Sequence, residues 1–326
     1  MSLAIVIVNW NSGELLKACL ASIAPSALRL PEAHALHRVV VVDNGSSDGS
    51  QTLDSQTTSG FGLGSRLELI QNTDNRGFAA ACNQGAAACE ADLVLFLNPD
   101  TRLFEDSLRV AVQALVQPRS QPVGIVGIAL QDDSGSVVPS CSRFPRAHHF
   151  LAHVLGIDRL WPRLGQPMVE WDHLDTRQVD QIMGAFFLIH RSLFDALGGF
   201  DERFFVYMEE VDLSLRARQA GWASLHVSEG RAYHKGGGTS NAVRARRLFY
   251  SLRSRLKFAA KHYGLAERAL AITVVWALEP LSRAAFLTLR GARAELGELV
   301  QAYRWLWHDK DTNSATRPVG VPPKPP

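Results

Sequence analysis

The sequence predicts an α/β protein built on a mostly parallel sheet. Three observations carry that expectation. Continuous apolar runs such as Leu3 to Val8 have no polar face, as in strands covered on both sides. Helical-period segments alternate with such runs through residue 130, the pattern of βαβ units. Polar residues gather where the apolar runs end: Asn9, Asp43, Asn75, Asn98 and Asp100.

The elements follow in order. Leu3 to Val8 reads as the first strand. Leu15, Leu16, Cys19, Leu20 and Ile23 recur at helical spacing, and Pro25 is expected to stop that helix. Val39 to Val42 is a second strand running into Asp43-Asn44-Gly45-Ser46-Ser47-Asp48-Gly49. Leu67 to Ile70 is a third, Gly77 to Ala88 an alanine-rich helix and Leu93 to Leu97 a fourth strand. Leu103 to Val116 is expected to be helical and Gly124 to Leu130 extended. Residues 139–182 show few clear elements, with Trp161, Trp171 and several histidines scattered through them.

The carboxyl edge of such a sheet is where ligands bind. Each polar segment alone fits an ordinary turn; all of them at one edge read as a site. Two acidic clusters carry the chemistry. Asn98-Pro99-Asp100 ends a buried strand, where a carboxylate can hold a hard divalent cation. Glu209-Glu210-Val211-Asp212 opens the helical pattern Leu213 to Ala220 and can supply a general base. Together they point to metal-assisted transfer of a phosphate-activated group. Asp212 stands four residues before Arg216, the spacing of an ion pair on one helix face. Glu209 suits either a helix N-terminus, where negative charge is favoured, or an acceptor contact. Lys235 precedes the glycines 236 to 238, whose N–H groups can cradle phosphate oxygens.

Composition excludes some classes. A net charge of +2 on 326 residues argues against nucleic acid. The four cysteines, and the histidines at 148, 149, 153 and 173, match no zinc spacing, and thiol usage fits a reducing cytosol. The N-terminus has no basic stretch or cleavage signal and reads as a strand. No Walker A or Rossmann glycine fingerprint is present, which disfavours a dehydrogenase.

Several motifs in order resemble family 2 glycosyltransferases, the rhamnosyltransferase-like subgroup in particular. They are Val6-Ile7-Val8-Asn9-Trp10-Asn11, the Asp43 segment, Asn75-Arg76-Gly77-Phe78-Ala79 and Leu97-Asn98-Pro99-Asp100. Gly198-Gly199-Phe200-Asp201-Glu202-Arg203-Phe204-Phe205 and Glu209-Glu210-Val211-Asp212-Leu213 continue the series. The resemblance implies a GT-A fold, a nucleotide-diphosphate-sugar donor (dTDP- or UDP-linked), Mg²⁺ or Mn²⁺, and inversion at the anomeric carbon. It implies that Asp43 contacts the nucleoside with Asn9 lining its pocket, that Asn75, Gly77 and Asn98 serve the donor, and that Asp100 ligates the metal with His234. It implies Glu210 as the base, where many relatives carry Asp. Asn98 departs from the full motif, whose first residue is Asp, and brings less charge to the metal.

The C-terminal region changes character. Arg244, Arg246, Arg247, Arg253, Arg255, Lys257 and Lys261 interleave with apolar residues, a basic amphipathic helix suited to an anionic membrane or to packing. Ala269 to Leu278 is apolar but is interrupted by Glu279, Pro280 and Arg283, so a packed or interfacial helical hairpin is expected. The proline-rich tail is expected to be disordered. The resulting plan is a catalytic domain over 1–240 (donor half 1–130, acceptor half 131–240), a helical extension over 241–311 and a tail over 312–326. The expected activity is inverting transfer of a sugar, rhamnose first, to a glycan or lipid-linked acceptor in cell-surface polysaccharide synthesis. The expected location is cytoplasmic, peripheral on the inner face of the cell membrane. A nucleotidyltransferase and a weakly catalytic nucleotide-sugar-binding scaffold are the alternatives.

Overall fold

The computed structural model describes residues 1–53, 58–236 and 244–309. The tail over 312–326 and residues 237–240 of the glycine-rich segment lie outside them. The described chain forms two compact units, one of Met1–Phe144, Pro167–Phe205 and Glu209–Asn241, the other of Pro145–Gln166, Val206–Met208 and Ala242–Pro326.

The first unit is a mixed sheet, parallel in its N-terminal half. Its strands are β1 (Ser2–Asn9), β2 (Ala35–Asp43), β3 (Leu67–Gln71), β4 (Leu93–Leu97), β5 (Thr101–Leu103), β6 (Val123–Gln131), β7 (Val137–Val138), β9 (Arg177–Val179), β11 (Phe186–His190) and β12 (Ala223–His234). The order is β3-β2-β1-β4-β11-β6-β12-β5. The first four strands run parallel, and β11 is antiparallel to both β4 and β6. Alternate side chains explain the layers. Leu3, Ile5, Ile7, Val39, Val41, Leu93 and Leu95 enter one core, while Ala4, Val6, Val8, Val40, Val42, Val94 and Phe96 enter the other. Each buried Val, Leu or Ile contributes about 1.5–3 kcal/mol.

Helices cover both faces. Helix α1 (Glu14–Ala27) and α3 (Ser107–Val116) close the first core. Helix α2 (Phe78–Ala87), α5 (Arg191–Ala196) and α6 (Glu209–Gln219) close the second. Small residues let α2 approach the sheet, since a Cβ on Gly85 would fall 2.4 Å from Val6 Cγ1.

Two boundaries differ from the sequence expectation. Helix α1 does not stop at Pro25; it runs to Ala27, and the Leu28 N–H still reaches Ala24 O at 3.1 Å. A proline in the last turn costs one hydrogen bond and leaves the rest of the ladder intact. Leu103 belongs to β5, not to the following helix, because Thr101–Leu103 pairs with Ala232–His234 of β12. In the sparse region, β8 (Cys141–Ser142) and β10 (Gln181–Ile182) form a small second sheet.

The second unit is helical: α4 (Ala147–Val154), α7 (Arg244–His262), α8 (Leu265–Thr273), α9 (Glu279–Leu289) and α10 (Arg293–His308). The expected hairpin is absent. Residues Leu265–Leu289 form one continuous helix, with a π-helical turn at Val274–Leu278 before Pro280. A π turn re-registers the ladder where a proline would break it. Glu279 does not interrupt the helix because its buried carboxylate sits 2.9 Å from Arg255 and 2.7 Å from Arg283. That helix is long and apolar enough to cross a membrane by length and composition. The apolar face of α7 is closed: Leu252 and Leu256 pack on Val275 and Leu306. Two of its cations are paired, Arg253 with Asp309 at 2.8 Å and Arg244 with Glu295 at 3.4 Å.

Candidate functional site

The ends of β1 and β2 form a buried polar knot. Asn9 pairs with Asp43 in register, and neither is more than 2% exposed. Asn9 Nδ2 donates to Asp43 Oδ1 at 2.7 Å, to Ser50 Oγ at 2.9 Å and to Ser46 Oγ at 3.2 Å. The Ser46 N–H donates to the other oxygen of Asp43 at 3.0 Å. Asn9 Oδ1 is buried without a partner. An unsatisfied acceptor in such a place is costly, and a ligand N–H or O–H would relieve it. Asp48 closes the loop, accepting from the N–H of Gly13 at 2.8 Å and of Ser50 at 3.0 Å.

Asn75 and Gly77 lie beside this knot. Asn75 Oδ1 accepts from the Gly77 N–H at 3.0 Å and from Asn44 Nδ2 at 3.3 Å, while Asn44 also donates to Gly77 O. Gly77 has a φ of 92°, and a Cβ there would fall 2.7 Å from Phe205 O. Only glycine fits both demands. The contact joins the start of α2 to the segment leading toward the acidic cluster.

Asp100 and His234 meet across the β5–β12 pairing. His234 Nε2 stands 3.3 Å from Asp100 Oδ1, and both side chains are about nine-tenths buried. The Lys235 N–H donates to Asp100 O at 3.2 Å, while the side chain of Lys235 is exposed. A carboxylate oxygen and an imidazole nitrogen at this separation fit two ligands of one cation. They are a pair rather than a cage, so further oxygens must come from a ligand or water. Asn98 anchors the turn, its N–H donating to Ala185 O at 3.1 Å and its O accepting from the Thr101 N–H.

Glu209 and Glu210 open α6, in the first turn with Asp212. Glu209 is 5% exposed, Glu210 is half-buried, and each carboxyl keeps one buried oxygen without a partner. Burial pushes the Glu209 carboxyl well above its ordinary range, and the neighbouring Glu210 raises it further. Burial raises Glu210 too. Both carboxyls are therefore held above the ordinary carboxylate range by burial, and the two titrate as a pair. Cys82 on α2 lies near both and is kept neutral by burial and by their charge. On another side, a Cβ on Gly184 would stand 3.9 Å from Glu210 Cγ. The next residue, Ala185, carries the carbonyl that holds Asn98 and Thr101. Gly184 thus lies beside Glu210, and its neighbour Ala185 holds the turn presenting Asp100.

Asp212 and Arg216 support this arrangement. Asp212 is fully buried and bonds Arg216 at 2.7 Å, while Arg216 also donates to the carbonyls of Leu197 and Gly199. Asn83 was not singled out by sequence reasoning. It donates to Phe200 O and Glu202 Oε1, both at 2.9 Å, and accepts from the Phe200 N–H. A polar residue on the buried face of an alanine-rich helix is the signal that points to it. Trp171 serves a local core and stacks on His173, and Trp161 is exposed.

The sequence matches the family model described as glycosyl transferase family 2 over residues 4–198. The chain belongs to that family. An N-acetylglucosaminyl-diphospho-decaprenol L-rhamnosyltransferase of Mycobacterium tuberculosis is 31% identical over 247 residues, covering 71% of this chain and 75% of that protein. The rhamnosyltransferase WbbL of Escherichia coli is 26% identical over 180 residues, covering 54% and 65%. Among solved structures, the mannosyltransferase PcManGT of Pyrobaculum calidifontis, in complex with GDP-Man and Mn²⁺, superposes with a TM-score of 0.56 at 19% identity, covering 94% and 87%. TarS of S. aureus with UDP-GlcNAc gives 0.53 at 16% identity, covering 93% and 79%. The fold of this glycosyltransferase is GT-A, with a parallel N-terminal half and a mixed remainder to its sheet. Membership sets aside the nucleotidyltransferase reading.

Proposed function

We propose that this glycosyltransferase moves rhamnose from a dTDP- or UDP-linked donor to a lipid-diphosphate-linked glycan, with inversion, in cell-surface polysaccharide synthesis. The observation that carries the mechanism is the Glu210 carboxylate, with one buried oxygen unpartnered, beside Gly184, whose neighbour Ala185 holds the turn presenting Asp100. Likeness to the two rhamnosyltransferases supports the sugar, and the first of them, by its name, acts on a decaprenyl-diphosphate acceptor.

In this reading the donor nucleoside lies over the β1–β2 ends, where Asn9 Oδ1 offers a free acceptor. Asp43 orients Asn9 and keeps lone pairs of its own. Asp100 and His234 would hold Mg²⁺ or Mn²⁺, which would offset the charge of the leaving diphosphate. Glu210 takes the proton of an acceptor hydroxyl. The acceptor oxygen forms its bond to the anomeric carbon as the bond to the diphosphate oxygen breaks on the opposite face. The raised affinity of Glu210 for protons makes it a stronger base than an exposed carboxylate.

The continuous helix Leu265–Leu289 supports a membrane location. Leu281 and Leu289 on it are 70% and 88% exposed, an apolar surface suited to lipid. A peripheral site on the cytoplasmic face would meet a lipid-linked acceptor there.

The test is turnover of a panel of dTDP-rhamnose, UDP-GlcNAc and GDP-mannose with a polyprenyl-diphosphate-GlcNAc acceptor, with Mn²⁺, Mg²⁺ or chelator. The expected result is rhamnosyl transfer that needs a divalent cation and inverts the anomeric centre. Donor binding without turnover on any acceptor overturns the catalytic reading and leaves the scaffold. Transfer of another sugar overturns the donor.

A further inference from the structure

Cys141, His173 and His226 come from three separate parts of the chain: β8, the loop before β9 and the start of β12. The structure brings them together, with the thiol sulfur and one ring nitrogen of each histidine all within 4.8 Å of one another. All three residues are buried, at 2%, 0% and 0% exposure, and the thiol is free.

The hydrogen bonds fix which nitrogen faces the cluster. His173 Nε2 stands 2.9 Å from Met168 O, and His226 Nε2 stands 3.0 Å from His173 O. A carbonyl only accepts, so each Nε2 carries the hydrogen and each Nδ1 carries the lone pair. Both Nδ1 atoms are buried without a partner. Two unsatisfied imidazole lone pairs beside a buried thiol are costly as they stand. An imidazole whose far N–H is bound to a backbone carbonyl is the arrangement that orients metal-ligating histidines.

The surroundings agree. Burial holds both imidazoles below their usual range, so their lone pairs are available. Trp171 stacks on His173 at 4.0 Å and meets His226 edge-on at 5.0 Å, roofing the cluster. His173 adopts a φ of 61°, a left-handed backbone that a non-glycine residue takes only when its surroundings demand it. Asp172, Asp175 and Glu170 act on the two rings from nearby and offset the Arg177 charge.

We propose that Cys141, His173 and His226 form a metal site for a borderline-soft transition-metal cation, Zn²⁺ foremost, distinct from the Asp100–His234 pair. One thiolate and two imidazoles suit zinc or copper and not Mg²⁺. Three protein ligands leave a fourth position for water. The buried thiol is pushed up to about 12, so loading exchanges the S–H bond for a sulfur–metal bond and releases one proton. The ion staples β8 and the Met168–His173 turn to the start of β12, the strand whose far end carries His234. The site therefore holds the strand that places a catalytic-site side chain.

The full chain, made without a histidine tag, is dialysed against micromolar Zn²⁺ and its metal content is measured. One ion per chain is expected, with a melting temperature that a chelator lowers. Co²⁺ loading is expected to give the near-ultraviolet charge-transfer absorption of a cobalt–thiolate bond. Asp100→Ala keeps that band, while Cys141→Ser and His226→Gln lose it at equal folded content by circular dichroism. Absence of both stoichiometric zinc and the cobalt band in the wild type overturns the site, and this holds even if the variants do not fold. A band that survives Cys141→Ser removes the thiolate from the ligand set and overturns it as well.

Discussion

Replacing Glu210 by Gln tests the chemistry most directly. The substitution keeps size and removes the ionisable oxygen. Glu210 Oε2 has no partner, so the change breaks no hydrogen bond at that atom. It also relieves the charge that pushes Glu209 up, so the fold is expected to be as stable or slightly more so. General-base catalysis is worth about 10²–10⁴ in rate, or roughly 2.7–5.4 kcal/mol at 1.36 kcal/mol per tenfold. Turnover at saturating donor and acceptor is expected to fall by that factor. Donor affinity, read by thermal shift with Mn²⁺ and nucleotide-sugar, is expected to stay unchanged, because the base acts on the acceptor. The pH profile of the wild type is expected to rise through an apparent pKa above the usual carboxylate range, since Glu210 must be ionised to accept a proton. That limb is expected to vanish in Glu210→Gln. Turnover within about threefold of wild type in the variant would refute the assignment, as would a limb that persists unchanged.

Further outcomes follow from the same geometry. Asp100→Asn replaces a charged oxygen ligand by an amide; metal-stimulated turnover is expected to drop at least ~10²-fold, with loss of the Mn²⁺-dependent thermal shift, and wild-type turnover that persists in excess chelator, or a variant as active as wild type, would refute it. Glu209→Gln is expected to raise stability at neutral pH and not at acid pH. Its folded pKa is raised, so the folded state binds the proton more tightly and wild-type stability falls as pH rises through that range; equal melting curves for both proteins at every pH would count against a buried, protonated Glu209. Leu281→Glu with Phe286→Glu is expected to weaken binding of the full chain to lipid vesicles by at least about tenfold, since each apolar side chain moved into lipid is worth ~1.5 kcal/mol or more. Unchanged vesicle binding would remove these two side chains from the membrane contact.

The N-terminal half of the sheet could be read from sequence because its strands are covered on both faces. Leu3 to Val8 and Leu93 to Leu97 are apolar at every position, and no helix period competes. Strand β5 could not be read, because its three residues owe their extension to a partner at Ala232–His234. The same pairing explains why Asp100 and His234, both expected from the family resemblance, meet in space. In the second unit, Glu279, Pro280 and Arg283 looked like interruptions. Their neutralisation depends on Arg255, which stands on another helix. The grouping of Pro145–Gln166 with the C-terminal helices likewise rests on packing of Ala147 and Phe150 against Ala259, Ala271 and Val274. The Cys141, His173 and His226 cluster has no local spacing at all. It exists only once β12 has paired with β9.

The acidic cluster still has to be divided between chemistry and support, and Asp212 is the test. It is fully buried, pairs with Arg216 at 2.7 Å and stands on the same helix as Glu210. Two residues along a helix point to different sides, so both carboxylates cannot face one acceptor. Arg216 shows where Asp212 points: its guanidinium reaches Leu197 O at 2.6 Å and Gly199 O at 2.8 Å. Those carbonyls bracket the Gly198–Gly199 turn, and Gly199 has a φ of 72° with a Cβ position 2.7 Å from Asn83 Oδ1. Asp212 thus fixes the arginine that clamps the Gly198–Gly199 turn, and the turn seats Phe200 against α2. Breaking a buried ion pair from one side costs about 3–5 kcal/mol when the other charge is stranded. Here Arg216 keeps two carbonyl partners, so Asp212→Asn is expected at the lower end of that range, with turnover per folded molecule near wild type. Chemical denaturation with activity normalised to folded protein measures both. A folded, inactive Asp212→Asn beside an active Glu210→Gln would move the base two positions along the helix and leave Glu210 as the supporting group.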